Sequence, residues 1–277
     1  MSLCFTKMQG IGNDFVVLDR RDAKAPLSAE LARRLADRHF GIGCDQVMTI
    51  ERNDDVAFSF RYGIYNADGS AAGQCGNGLR CVVRWLADRG LVQGSGIRLL
   101  GPSGPVQVDV LDEGCIRADM GVPEFDAGRV PLATATTQER YVLEFDGTPI
   151  SFGAVSMGNP HAVIEVDDVA TAPVGSLGSR IEVHPMFPDR VNVGFVQVID
   201  RAQVKLRVFE RGVGETLACG SGACAAVAVL RTWQCVDAEV RVQLPGGELQ
   251  ISWSGPGHSI WMTGPATTVF EGEWNDE

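Results

Sequence analysis

The sequence predicts an α+β fold: two pseudo-symmetric domains from a duplication, each a mostly antiparallel, β-barrel-like sheet wrapped around one central buried helix. Three observations predict it. Motifs recur at a nearly constant offset, period-two alternation dominates between them, and two apolar helical stretches each begin at a cysteine followed by Gly-x-Gly. The offset is 144 between Cys75 in "GQCGNGLRC" and Cys219 in "LACGSGAC". It is 146 between Asn13 in "GNDFVVLD" and Asn159 in "GNPHAVIEVD", and again between Gln46 in "GIGCDQVMTIE" and Asn192 in "DRVNVGFVQVID". "IRADMGVPEF" from Ile116 matches "IWMTGPATTVF" from Ile260 at 144. Two long copies mean paired domains, because solenoids need three or more units. The halves are expected at 1–119, with 265–277 returning to it, and at 120–264.

The elements follow in order. "SAELARRLADRHFG" is an amphipathic surface helix in which Ser28 is the N-cap, Leu31 and Leu35 share a face, and Gly41 can end it. After Cys75, "GNGLRCVVRWLADRG" is largely apolar at its start and stops at Gly90. "VQVDV" (106 to 110) alternates as a strand, as do "KLRVF" (205 to 209), "VRVQL" (240 to 244) and "LQISW" (249 to 253), the last two joined by the turn "LPGGE". After Cys219, "GSGACAAVAVL" has no polar face, so protein must surround it. The final "EGEWNDE" reads as a solvated acidic terminus.

Charge narrows the function. A net charge of −11 argues against a nucleic-acid surface or an anionic membrane, since both need clustered Lys and Arg. The opening segment has no secretion-signal pattern and no apolar run is long enough to span a bilayer, so a cytoplasmic location is expected. Eight cysteines in such a chain are expected to stay reduced. Cys75 with Cys81, and Cys219 with Cys224, sit five or six positions apart and point away from each other on a helix, so no metal site is expected.

The matched Cys-Gly-x-Gly stretches suggest chemistry. A helix N-terminus lowers a thiol pKa through unpaired N–H groups and the positive dipole end. Gly76, Gly78, Gly220 and Gly222 let backbone amides approach a ligand. Two such helix ends facing each other would make a small pocket suited to inversion at a carbon beside a carboxylate: one thiolate takes the α-proton, and the opposite thiol delivers one to the other face. The carbanion's charge would spread onto carboxylate oxygens held by amides. The bland reading, a small buried apolar residue, is kept for Cys81, Cys115, Cys224 and Cys235, while Cys4 and Cys44 carry no signal. A phosphate cradle is disfavoured because neither loop ends in Gly-Lys-Ser/Thr.

"GNDF", "GIGCDQ", "NADGS", "QCGNGLRC", "SMGNPH", "ERGVGETLACGSGACAAV" and "LPGG" together resemble the diaminopimelate epimerase family, from about Met8 to Gly264. The resemblance implies interconversion of LL- and meso-diaminopimelate with no cofactor, neither pyridoxal phosphate nor metal, by a homodimer with a cleft that closes on substrate. Carried onto this chain, Cys75 and Cys219 are the acid/base thiols, and His161 and Glu210 tune them. Substrate contacts fall on Asn13, Gln46, Asn66, Asn159, Asn192, Glu210 and Arg211, with backbone amides at Gly76, Asn77, Gly220 and Ser221. Each has a plainer alternative: turn roles for Asn13, Asn66 and Asn159, a core histidine, and a Glu210–Arg211 surface pair. Leu79 is bulkier than the alanine expected there. Rival functions are a proline or hydroxyproline racemase, a non-catalytic duplicated binding protein, and a redox scaffold using a Cys75–Cys219 disulfide.

Overall fold

Strand β1 (Ser2–Gly10) turns into β2 (Asn13–Asp19) through Ile11 and Gly12, at φ 51° and 89°. Positive φ at both central residues makes the two-residue turn whose twist matches that of the flanking strands, and Gly10 pairs with Asn13 across it. This computed structural model describes residues 2–23, 25–111 and 114–275. The chain forms two units, Met1–Asp119 with Thr263–Glu277, and Met120–Met262.

The first unit continues with α1 (Ala29–Ala36), β3 (Gln46–Glu51), β4 (Phe60–Asn66), α2 (Gly76–Asp88), β5 (Ile97–Gly101), β6 (Gly104–Val110) and β7 (Cys115–Asp119). Pairing is antiparallel except at β2–β3 and β4–β5, the two places where a helix makes the crossover. Helix α1 covers one face, with Leu35 and Ala32 buried among Val16, Leu18 and Val47. Helix α2 lies against strands from both ends of the sheet, β1, β2 and β3 as well as β6 and β7, so the sheet curls around it. Strands between these helices are covered on both faces, which is why β2 and β3 bury four consecutive residues each.

The Ser28 cap forms, with its Oγ accepting from the Leu31 amide at 3.2 Å. The helix nevertheless ends at Asp37, not Gly41. The Asp37 carboxylate accepts the His39 and Phe40 amides, both at 2.8 Å, and so satisfies the chain in a turn before the glycine is reached. The acidic tail also departs from expectation. It forms β17 (Thr267–Asn275), antiparallel to β1, with Trp274 packed against the core and Glu271 and Glu273 facing solvent. Alternation of small or aromatic with acidic residues is a one-sided strand pattern. Asp276 and Glu277 lie outside the described residues.

The second unit repeats the succession. After β8 (Tyr141–Phe145) come β9 (Thr148–Ser156), β10 (Pro160–Glu165), α3 (Val174–Glu182), β11 (Asn192–Asp200), β12 (Gln203–Glu210), β13 (Gly214–Thr216), α4 (Gly220–Thr232), β14 (Glu239–Leu244) and β15 (Gly247–Trp253); β16 (Ile260–Pro265) spans the boundary at Met262. The parallel joints are again where helices cross over, β10–β11 and β12–β14. Helix α4 lies against β9, β10, β11, β12 and β15, and ten of its residues from Gly220 to Leu230 are buried.

Both central helices stop alike. After α2, the Gly90 amide bonds the Ala87 carbonyl and Leu91 bonds Leu86; after α4, Gln234 bonds Arg231 and Cys235 bonds Leu230. The residue past the cap is left-handed in both, Gly90 at φ 67° and Gln234 at φ 61°. Only the second pays a side-chain penalty there. Gln234→Gly is expected to raise stability by about 0.5–1 kcal/mol, read from denaturant midpoints.

Candidate functional site

Cys75 is the N-cap of α2, with extended backbone (φ −151°, ψ 105°). Its Sγ accepts from the Gly78 amide at 3.4 Å and lies 3.9 Å from Asn13 Oδ1. The helix end and the amide favour thiolate, while the carboxamide oxygen favours S–H. Asn77 Nδ2 reaches the same oxygen at 3.3 Å. Gln46 and Asn66 are partners in the β3–β4 register, and Gln46 Nε2 donates to Asn66 Oδ1 at 2.9 Å. Asn66 also serves the turn expected of it, since its amide takes the Ser70 carbonyl at 2.8 Å. Gly78 has a packing reason: a Cβ there would meet Met48 Sδ at 2.7 Å and Phe15 Cε1 at 3.1 Å.

Cys219 is the N-cap of α4. Burial, then the Glu210 carboxylate, push its thiol well up, against the Ser221 hydroxyl and the Gly222 amide, which favour thiolate. The Ser221 Oγ lies 3.7 Å from the sulfur and receives Asn159 Nδ2 at 3.5 Å. Since Asn159 donates there, its Oδ1 must accept, and His161 Nε2 donates to it at 3.0 Å. Donors thus run from His161 through Asn159 to the Ser221 hydroxyl, which meets the sulfur in a contact where either atom can donate. His161 is fully buried, and burial, with Arg211 adding to it, lowers its pKa to about 3, so the ring is neutral at pH 7. Glu210 accepts from Thr216 Oγ1 at 2.5 Å. Asn192 donates to the Pro160 carbonyl at 2.9 Å and accepts the Arg211 amide at 3.0 Å; the Arg211 guanidinium reaches the Asp189 carbonyl.

The low His161 value has a stability consequence. The folded-state pKa lies below the unfolded 6.5, so this contribution is fully present above about pH 6.5 and is lost as pH falls toward 3. His161→Phe, which installs the residue that the first unit carries at position 15, is expected to flatten the loss of stability between pH 7 and 4, measured by urea midpoints.

Within each unit, then, the contacts bring Asn13 and Asn77 to Cys75 at the start of α2, and Ser221, Asn159, His161 and Glu210 to Cys219 at the start of α4; Gly76 and Gly220 are the first residues of those helices, Gln46 and Asn66 bond each other, and Asn192 bonds the Arg211 amide beside Glu210. The two surroundings differ. Phe15 sits opposite Gln46 in register, and His161 opposite Asn192, so an aromatic hydrocarbon in one copy is an imidazole in the other. Of the cysteines assigned a packing role, Cys81 and Cys224 are buried, while Cys115 and Cys235 are half-buried. Residues the sequence did not single out are Lys7, Asp14, Arg38 and Asp45, a charged set joined to Asn13; the signal was an acid directly beside each of two polar motif residues, Asn13-Asp14 and Asp45-Gln46. Among the described residues there is no group of three or more His, Cys, Asp or Glu side chains placed to hold a metal ion, and no helix long and apolar enough to cross a membrane.

The two-unit fold recurs in solved structures. One is the Bacillus anthracis phenazine biosynthesis protein of the PhzF family, with a TM-score of 0.68 at 16% identity and 100% of each chain covered. Another is a hydroxyproline epimerase from Agrobacterium vitis, with a TM-score of 0.67 at 17% identity over 98% of this chain and 92% of the other. At such identities the likeness defines the architecture alone. Sequence defines more. A family model described as diaminopimelate epimerase matches residues 5–125 and 153–269. The diaminopimelate epimerase of Xanthomonas euvesicatoria pv. vesicatoria is 55% identical over 274 residues, covering 99% of this chain and 96% of the relative. The chain belongs to the diaminopimelate epimerase family, a family of isomerases.

Proposed function

We propose that this protein interconverts LL- and meso-diaminopimelate, with Cys75 and Cys219 acting on opposite faces of one α-carbon. The observation that carries the proposal is the repeated N-cap cysteine: each unit starts its largely buried central helix at a sulfur, Cys75 beside the Asn13 carboxamide oxygen and Cys219 beside the Ser221 hydroxyl and the Glu210 carboxylate. One thiolate takes the α-hydrogen as a proton, forming S–H, while the C–H electron pair moves into the carboxylate. The other S–H gives its proton to the opposite face and becomes thiolate. The substrate leaves inverted, the thiols have exchanged roles, and no redox or cofactor chemistry is called upon.

Amides at Gly76 and Asn77, and at Gly220 and Ser221, occupy the first positions of α2 and α4, outside each helix's own hydrogen-bond ladder, and would hold the carboxylate. Asn13, Gln46, Asn66, Asn159, Asn192 and Arg211 would hold the rest of the substrate, including the distal centre that must be bound but not inverted. His161 and Glu210 would tune Cys219. We further infer a homodimer in the cytoplasm: Val269 and Phe270 of β17 are exposed apolar residues suited to a subunit contact, and the eight free cysteines suit a reducing compartment. Sedimentation velocity checks the first inference, with a monomer at micromolar concentration as the contrary result.

The reaction is tested by incubating the reduced protein, without added cofactor, with LL-diaminopimelate in deuterated water. Meso isomer carrying deuterium at the inverted carbon is expected. No exchange overturns the reading, and exchange into proline or hydroxyproline in its place selects the racemase rival.

A further inference from the structure

Asn13 is held from outside the reacting group. Its Nδ2 donates to Asp45 Oδ2 at 2.6 Å, and its Oδ1 faces Asn77 Nδ2 and Cys75 Sγ. An ionised carboxylate accepts and cannot donate, so only the NH2 end of the carboxamide can face Asp45. The carbonyl end is therefore turned to the sulfur.

Asp45 is itself fixed. Its Oδ1 receives Arg38 Nη2 at 2.7 Å, and its Oδ2 also receives the Asp14 amide at 3.1 Å. Its own amide donates to Asp14 Oδ1 and to the Asp14 carbonyl, both at 3.0 Å. Asp14 in turn binds Arg38 Nη2 at 2.7 Å and Lys7 Nζ at 2.5 Å, and Lys7 Nζ donates as well to the Gly43 carbonyl. Burial alone would raise the Asp14 carboxyl; the hydrogen bonds and charges of Arg38 and Lys7 outweigh it and hold the group at about 2. Two cations and two carboxylates from β1, β2 and the loop after α1 balance, so the set acts on Asn13 by orientation, not by net charge.

We propose that Asp45, braced by Arg38 and Asp14, is a positioning residue: it fixes the Asn13 carboxamide so that its oxygen accepts the Cys75 S–H and the substrate meets one defined orientation. This rests on the epimerase reading for its role in turnover, though its effect on the thiol does not. An oxygen facing the sulfur holds Cys75 toward the S–H form, against the helix end and the Gly78 amide. Without Asp45 the carboxamide can turn its NH2 to the sulfur, and thiolate gains. Tyr62 of β4 and Cys81 of α2 interact electrostatically with Cys75. Burial pushes the Tyr62 phenol far up and the Cys81 thiol up to about 12, so neither ionises in the range of interest.

The test is the pH profile of iodoacetamide alkylation, read peptide by peptide in the free protein, with Cys219 followed in the same digest. Asp45→Ala is expected to move the Cys75 profile to lower pH, more than that of Cys219, and to lower kcat/KM about 10- to 100-fold, mostly in kcat. Asp45→Asn offers one acceptor oxygen where two are used, so Arg38 Nη2 competes for it with Asn13 Nδ2 and the Asp14 amide, and the variant is expected to shift the Cys75 profile with the same sign as Asp45→Ala but by less. Should Asp45→Ala not fold, Arg38→Met, which frees the other carboxylate oxygen, is expected to give a smaller shift of the same sign. A Cys75 profile unmoved or displaced upward in the folded variant overturns the proposal. A wild-type chain inactive on diaminopimelate overturns the epimerase reading instead, because alkylation needs no substrate.

Discussion

Cys75→Ala is expected to abolish net inversion, with turnover at least about 10³-fold below wild type. The reason is stereochemical. A single remaining thiolate can remove a proton and return solvent hydrogen only to the face it came from. The variant should therefore still exchange the α-hydrogen of one epimer with deuterated water, slowly, while forming none of the other. Cys219→Ala should do the same with the opposite epimer. Proton NMR in deuterated water distinguishes the two directly, and an effect of this size cannot be mistaken for lost packing, because loss of packing would not select an epimer. Retention of a tenth of the wild-type rate by either variant would mean that its sulfur is only a buried apolar residue.

The second large effect is expected at Glu210. Its carboxylate, after burial, is the cause that raises the Cys219 thiol, and it accepts from the Thr216 hydroxyl at 2.5 Å. Glu210→Gln preserves size and removes the charge. The sign follows: with the anion gone, the folded-state Cys219 pKa falls, so its alkylation starts at lower pH, while Cys75, in the other unit, is unmoved. Turnover should drop about 10²-fold, because the balance of proton affinity between the two sulfurs is altered, although burial still favours S–H at Cys219. The first copy differs there. At its matched position stands Asn66, whose carboxamide is occupied by Gln46 and Ser70. Divergence between the copies therefore concentrates where charge controls the thiols, and the sulfurs themselves are the same in both.

How far these features could be read from the chain depends on their physical range. Strands exposed on one face, such as β14 and β15, show alternation because water selects every second residue. Strands β2, β3, β10 and β11 lie between a surface helix and a central helix, so their runs of buried residues have no period and only the repeat revealed them. The end of α1 was misplaced because a local carboxylate turn at Asp37 competes with a glycine stop, and composition does not rank the two. Strand β17 was missed because its acidic residues all fall on the solvent face, leaving Gly272 and Trp274 as the inward signal. Candidate site residues stood out where they lie in short polar motifs at matched positions. The Lys7–Asp14–Arg38–Asp45 set did not, since it is assembled from segments up to 38 residues apart and no local pattern links them to Asn13.

Cooperation of the two sulfurs on one substrate is measured most directly by mild oxidation followed by mapping of disulfide-linked peptides. The expected result is a bond joining the Cys75 and Cys219 peptides, formed in proportion to loss of activity, slowed by diaminopimelate and reversed with full recovery by a thiol reductant. Oxidation that never joins these two peptides, or full turnover by a sample in which they are joined, would contradict it.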